Sequence, residues 1–298
     1  GRGNYTIEGI TALSEGIKQS NIQSLSLDNN ELCGIGFDPR SGRLVGNYTI
    51  EGITALSEGI KQRNIQSLSL AGNLICYKGN MEGLNALITA IKEMTNLSSL
   101  NLADNNLTNF GEDMSGVIAL AAALEDSKIT DLNLAGNFIC YDGNMKGLNA
   151  LITGIKKMPN MSSLNLDNNY LGSKGVTNIA KVLPDCKALV SLSLAGNNIC
   201  YRGNMEGLNA LIAAIKEMAN LSSLNLDHNQ LCGVDAYGRG NYTIEGITAL
   251  SEGIKQSNIQ SLSLNNNALC GIANGRGTFT IEGITALCEG IKQSNIQS

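Results

Sequence analysis

Short apolar runs of strand period alternate along the whole chain with longer apolar runs of helical period. In Ile22-Gln-Ser-Leu25-Ser-Leu27-Asp-Asn-Asn30-Glu-Leu32-Cys33 the apolar positions are Ile22, Leu25, Leu27 and Leu32. Strand alternation therefore turns Ser24, Ser26 and Asp28 to the opposite face. Copies of this stretch begin at Ile22, Ile65, Leu97, Ile129, Met161, Leu189, Leu221 and Ile259, and a ninth begins at Ile296. Between them, Ile7, Ile10, Leu13 and Ile17, and again Met81, Leu84, Leu87, Ile88 and Ile91, recur at spacings of three and four, which predicts amphipathic helices. Similar helical segments are expected near 116–126, 145–158, 175–183, 205–218, 244–256 and 281–293. Strand, turn, helix and return make one coil, and coils too small to bury their own apolar side must stack on one another.

Written as L-x-x-L-x-L-x-x-N-x-L, the repeated unit resembles the leucine-rich repeat. Residues 169–192 (NYLGSKGVTNIAKVLPDCKALVSL) resemble its ribonuclease-inhibitor-like subclass, the one that holds NOD-like receptors and RanGAP-type proteins. The resemblance implies an α/β right-handed solenoid, or horseshoe, with parallel strands on the concave face and helices on the convex face. Residues 1–298 then read as a single array of about eight repeats. No polar capping repeat stands at either end, and GNYTIEGITALSEGIKQSNIQSLSL at 3–27 recurs unchanged at 240–264, so the chain is expected to be a window on a longer array. One Asn stands at the same place in each copy: Asn30, Asn73, Asn105, Asn137, Asn169, Asn197, Asn229 and Asn267. Its amide is expected to turn inward and satisfy backbone groups that the turn leaves unpaired, as a structural ladder rather than a binding row.

Repeat spacing locates the insertions. From Ile65 the starts advance by 32 residues to Leu97, Ile129 and Met161, by 28 to Leu189 and by 32 to Leu221, whereas the first step is 43 and the last two are 38 and 37. The extra residues fall between the closing Leu/Cys and the next helix, so they should project from one edge of the stack. One kind of insert is rich in Gly and Arg: Gly34–Asn47 with Arg40 and Arg43, Gly233–Asn241 with Arg239, Gly271–Thr278 with Arg276, and Gly1–Asn4 with Arg2. The other is compact and aromatic: Cys76-Tyr77-Lys-Gly-Asn80, Cys140-Tyr141-Asp-Gly-Asn144 and Cys200-Tyr201-Arg-Gly-Asn204. Because it returns in every second repeat, Tyr77, Tyr141 and Tyr201 should form a row at about 10 Å intervals, two coils of about 5 Å each. Such a row could anchor a partner protein, or each ring could pack over the next helix start. Tyr77, Tyr141, Tyr201, Arg40, Arg43, Arg239 and Arg276 are the candidate partner-binding residues.

Composition narrows the chemistry. A net charge of -5 and the lack of any Lys/Arg cluster argue against nucleic acid or an anionic membrane surface as partner. No run of 18 apolar residues predicts membrane insertion. Cys33, Cys76, Cys140, Cys200, Cys232 and Cys270 share one repeat position, held elsewhere by Thr108 and Gly172, which fits buried free thiols in a tight niche; neighbouring members could also lie near disulfide distance. With His228 the sole histidine and no C-x-x-C, no metal site, cofactor or catalytic constellation is expected. The outward strand residues Ser26, Ser69, Asn101, Asn133, Asn165, Ser193, Asn225 and Ser263 are small and polar, with a mild acidic bias from Asp28, Asp131, Asp167 and Asp227.

N-x-S/T triplets at Asn4, Asn47, Asn96, Asn106, Asn160, Asn220 and Asn241 leave an extracellular location open, with those at Asn96, Asn160 and Asn220 expected to be less accessible; unpaired Cys lean toward the cytoplasm. The function that follows is non-catalytic recognition or scaffolding of a protein partner, with possible assembly with other subunits. The alternatives are a glycosylated structural or surface protein and, by resemblance of architecture alone, an activator of small GTPases.

Overall fold

A computed structural model of the chain describes residues 7–38, 40–125, 127–235 and 237–297, so the Gly1–Asn4 insert with Arg2 lies outside the described residues. Eight three-residue strands, Ser24–Ser26, Ser67–Ser69, Ser99–Asn101, Asp131–Asn133, Ser163–Asn165, Ser191–Ser193, Ser223–Asn225 and Ser261–Ser263, form one parallel sheet in chain order. They define coils 1 to 8. The central leucines are in register throughout, Leu25 on Leu68 and so on to Leu224 on Leu262, so the apolar column of the sheet faces the helices without a break. A helix leads into each strand; the segment Glu51–Ile60, a near repeat of Glu8–Lys18, precedes coil 2.

Each helix from Glu51 onward, except Gly172–Ala180, begins where a polar side chain can cap it. Asn80, Asn144 and Asn204, the last residues of the aromatic inserts, accept from the backbone N–H of Glu82, Lys146 and Glu206 at 2.9, 3.1 and 3.0 Å. Thr49, Asp113, Thr243 and Thr280 do the same for Glu51, Ser115, Glu245 and Glu282. One otherwise unpaired donor per helix is thereby satisfied, worth about 1 kcal/mol each. In coil 5 the expected helix over 175–183 runs Gly172–Ala180 and tightens into a short turn at Leu183–Asp185, where Pro184 cannot continue it.

An asparagine ladder fastens coil to coil. The Oδ1 of Asn137 accepts from the backbone N–H of Asn105 and Leu107 in the preceding coil at 3.0 and 3.3 Å, and its Nδ2 donates to the carbonyls of Leu102, Leu134 and Ala135 at 2.8, 3.1 and 3.1 Å. Asn73, Asn105, Asn169, Asn197, Asn229 and Asn267 are likewise buried and reach back one coil. Asn30 departs from the expectation. It is exposed, and its Nδ2 reaches only the Asp28 carbonyl at 2.9 Å, because each rung is built against the coil before it and no described coil precedes coil 1.

The insertions are less loop-like than their composition implies. Ile35–Asp38 pairs antiparallel with Arg43–Gly46, Ile272–Ala273 with Arg276–Gly277, and Val234 bridges Gly240. At the mouth of the first hairpin Gly46 lies at φ +116°, and a Cβ there would fall 2.1 Å from the Gly34 carbonyl oxygen. The thiol column is buried at Cys33, Cys76, Cys140, Cys200 and Cys232, half-buried at Cys270, and all eight cysteines are free.

Candidate functional site

The inner face of the sheet carries polar groups that are already engaged with one another. Asp28 Oδ1 accepts from Ser69 Oγ at 2.6 Å and the Ala71 N–H at 2.8 Å; Asp167 accepts from Ser193 and Ala195, and Asp227 from Ser263 and Asn265, in the same way. Asn101, Asn133, Asn165 and Asn225 accept from the backbone two residues on. The acidic bias read from the sequence is thus absorbed in bonds between coils. Burial raises the Asp167 carboxyl above its ordinary value, outweighing the opposing bonds from Ser193, Ala195 and Asn165.

The loop edge differs. At one turn position after each strand, coils 1 to 7 alternate between a polar residue at φ near +54° (Asn29, Asp104, Asn168, His228) and, in coils 2, 4 and 6, a glycine (Gly72, Gly136, Gly196), and coil 8 carries Asn266 at φ +57°. The polar side chain of one coil lies over the glycine of the next: a Cβ at Gly136 would stand 1.9 Å from Asp104 Oδ1, and one at Gly196 2.0 Å from Asn168 Oδ1. Two residues on, every coil has a second left-handed residue, in order Glu31, Leu74, Asn106, Phe138, Tyr170, Asn198, Gln230 and Ala268. Asn suits that backbone; leucine and aromatic rings do not, and each large side chain there stores about 1–3 kcal/mol of strain.

Rings gather at that point. Phe138 stacks on Tyr170 with centroids 5.8 Å apart, Phe110 tilts against Phe138 at 4.8 Å, and Tyr141 meets Tyr170 edge-on at 5.1 Å and Phe138 at 6.0 Å. Phe110 and Tyr170 remain 46% and 45% exposed, so burial does not account for them. They border a groove of about 530 Å³ that runs across the coils from Leu74 to Asn198, floored by Gly136 and Gly196 and including Asp104, Asn106 and Asn168. Beyond the Tyr170 ridge a second hollow of about 490 Å³ reaches Lys174 and Tyr201.

The candidate residues named from the sequence do not converge. Of the tyrosine row, Tyr141 joins this cluster, whereas Tyr77 packs on Tyr48 at 6.0 Å with the Lys78 ammonium 5.5 Å from its ring. Tyr201 is 51% exposed beneath the Arg202 guanidinium at 5.1 Å. The packing of Tyr48 is polar as well as apolar: its hydroxyl donates to the Ile75 carbonyl at 2.6 Å, and burial pushes its pKa up. Arg40 and Arg43 sit on the coil 1 hairpin. Arg239 is tied to Asp235 at 2.8 Å and lies over Tyr237 at 5.0 Å, and Arg276 is on the coil 8 hairpin beside Gly238. The Arg-bearing inserts belong to coils 1, 7 and 8, whereas the rings belong to coils 3 to 5. The sequence signal for Phe138 and Tyr170 is an aromatic residue in a slot that Asn, Gln or Glu fills in other coils; Phe110, in a turn outside that slot, carries no such signal.

Other chemistry is thin. His228 is exposed, with Asn266 Nδ2 3.0 Å from its Nε2. Among the described residues no cluster of His, Cys, Asp and Glu could hold a metal ion, and no helix is long and apolar enough to cross a membrane. The sequons at Asn96, Asn160 and Asn220, expected to be less accessible, are exposed, while Asn106 is buried.

No family model matches the sequence, and no curated protein does. Among solved structures, the crystal structure of the leucine-rich repeat-containing protein LegL7 from Legionella pneumophila superposes with a TM-score of 0.57 at 23% identity, covering 99% of this chain and 87% of that one. The fold is that of a leucine-rich-repeat solenoid.

Proposed function

We propose that this leucine-rich-repeat protein is a non-catalytic recognition or scaffolding module that binds a protein partner through the loop edge of coils 3 to 6. The observation that carries the reading is the half-exposed ring cluster of Phe110, Phe138, Tyr141 and Tyr170, in which Phe138 and Tyr170 stand at a strained left-handed position that polar residues occupy in other coils. Aromatic anchors in a pocket are what give a protein interface its affinity. The inner face offers small polar groups that already bond one another, and so has little to gain from a partner. Affinity capture with the purified chain, quantified against the double variant Phe138→Asn, Tyr170→Asn, tests this. Asn is at home at φ near +58°, so the variant keeps the coil geometry. Loss of the captured proteins is expected; an unchanged set would overturn the reading.

A further inference from the structure

We infer that the groove between Asp104 and Tyr170 is a binding site for an extended, arginine-bearing peptide segment, with the guanidinium held by the Asp104 carboxylate and the faces of Phe110, Phe138 and Tyr170. This rests on the recognition reading above and adds the chemistry of what is recognised. Three features of the same groove exceed what the coil requires. Asn29, Asn168 and His228 fill the position of Asp104 in other coils, so the backbone needs a short polar side chain there but no charge. The Asp104 carboxylate accepts no hydrogen bond and meets no cation among the described residues, and partial burial raises its pKa. Leu74, Phe138 and Tyr170 occupy the left-handed slot that Asn106 and Asn198 fill with less strain.

The third feature is Asn106, which lines the groove at 2% exposure. Its Oδ1 accepts from the Phe110 N–H at 2.8 Å, which fixes the amide's orientation, and its Nδ2 has no partner among the described residues. A site with one unpaired anion, one unpaired amide donor and an aromatic wall is complementary to a ligand that brings a cation, a carbonyl acceptor and a flat stem. An arginine residue in an extended chain supplies all three, and its planar guanidinium stacks on rings as lysine's ammonium does not. Among the described residues Asp104 is the sole charged one lining the groove, so charge complementarity selects a cationic occupant. From Leu74 in coil 2 to Asn198 in coil 6 the groove spans four steps of about 5 Å, the reach of about six extended residues.

The test is an NMR titration of the 298-residue chain with three acetylated, amidated alanine heptapeptides carrying Arg, Lys or Glu at the centre, and with a chitin hexasaccharide. The Arg peptide is expected to shift the Phe110, Phe138 and Tyr170 ring signals and the Gly136 amide, to bind at least about threefold more tightly than the Lys peptide, and to weaken about fivefold or more in Asp104→Asn, since an ion pair of about 1 kcal/mol is lost. The Glu peptide should bind least. Equal binding of Arg and Glu peptides, indifference to Asp104→Asn, no shift with any peptide, or shifts with the hexasaccharide in place of the Arg peptide would each overturn the assignment. Such a failure alongside lost capture in Phe138→Asn, Tyr170→Asn refutes the cationic peptide and leaves protein recognition standing; unchanged capture removes both.

Discussion

Replacing Asn137 by Ala breaks one rung of the ladder, and the loss can be counted atom by atom. Leu134 O keeps a bond from Asn169 Nδ2 at 2.8 Å, and Ala135 O keeps the Asp104 N–H at 2.8 Å. The N–H groups of Asn105 and Leu107 and the carbonyl of Leu102 lose the partner that Asn137 supplied. The site is fully buried, and each of the two orphaned donors costs about 1–3 kcal/mol, so the variant should lose about 2–6 kcal/mol. Asn137→Asp should lose at least as much, because a carboxylate accepts from the two N–H groups but faces three carbonyl oxygens with no donor. Asn30→Ala, at the same motif position, gives up one exposed bond to Asp28 and should change stability by less than about 0.5 kcal/mol. Urea unfolding followed by far-ultraviolet circular dichroism reads all three, with the slope of the transition reporting whether the array still unfolds as one unit. A loss below about 1 kcal/mol in Asn137→Ala, or equal losses at Asn30 and Asn137, would refute the ladder as the fastening between coils.

Two further outcomes follow from buried titrating groups. The Asp104 carboxyl titrates above its ordinary value through burial, so the folded chain holds that proton to higher pH than the unfolded chain and stability falls as pH rises through the folded value. Asp104→Asn removes that slope: its Tm should exceed the wild type's at about pH 7 and match it at about pH 3, where the carboxyl is protonated in both states. An equal or lower Tm at neutral pH would show the carboxylate to be a net stabiliser. Among the thiols, burial raises Cys33, Cys140 and Cys200 to about 12 and Cys232 to about 11. Alkylation at about pH 8 followed by mass spectrometry should therefore modify exposed Cys288 first and these four only on unfolding, and early loss of any of the four would contradict the packing.

Register, helix faces and the buried asparagines were legible because each answers to one local rule: alternation of Leu25-type residues, three-and-four spacing, and an amide that must find backbone partners. The aromatic groove was not legible by those rules. Phe138 and Tyr170 stand 32 residues apart, and Phe110 sits in a turn of coil 3, Thr108–Asp113, with no counterpart in other coils. Only the stacking of coils brings the three together. The Gly/Arg inserts show a related limit: their composition announces turns, yet Ile35–Asp38 and Arg43–Gly46 find each other as antiparallel strands, a pairing that no local pattern signals. Asn30 was misread because its motif is intact while the neighbour it would bond is a matter of position in the stack.

Recognition through the loop edge is tested most directly by a photo-crosslinking residue, p-benzoylphenylalanine, placed singly at Tyr170 on the groove and at Ser193 on the inner strand face. The account predicts that a captured protein becomes covalently attached from position 170 and not from position 193. Attachment from 193 with none from 170 would contradict it.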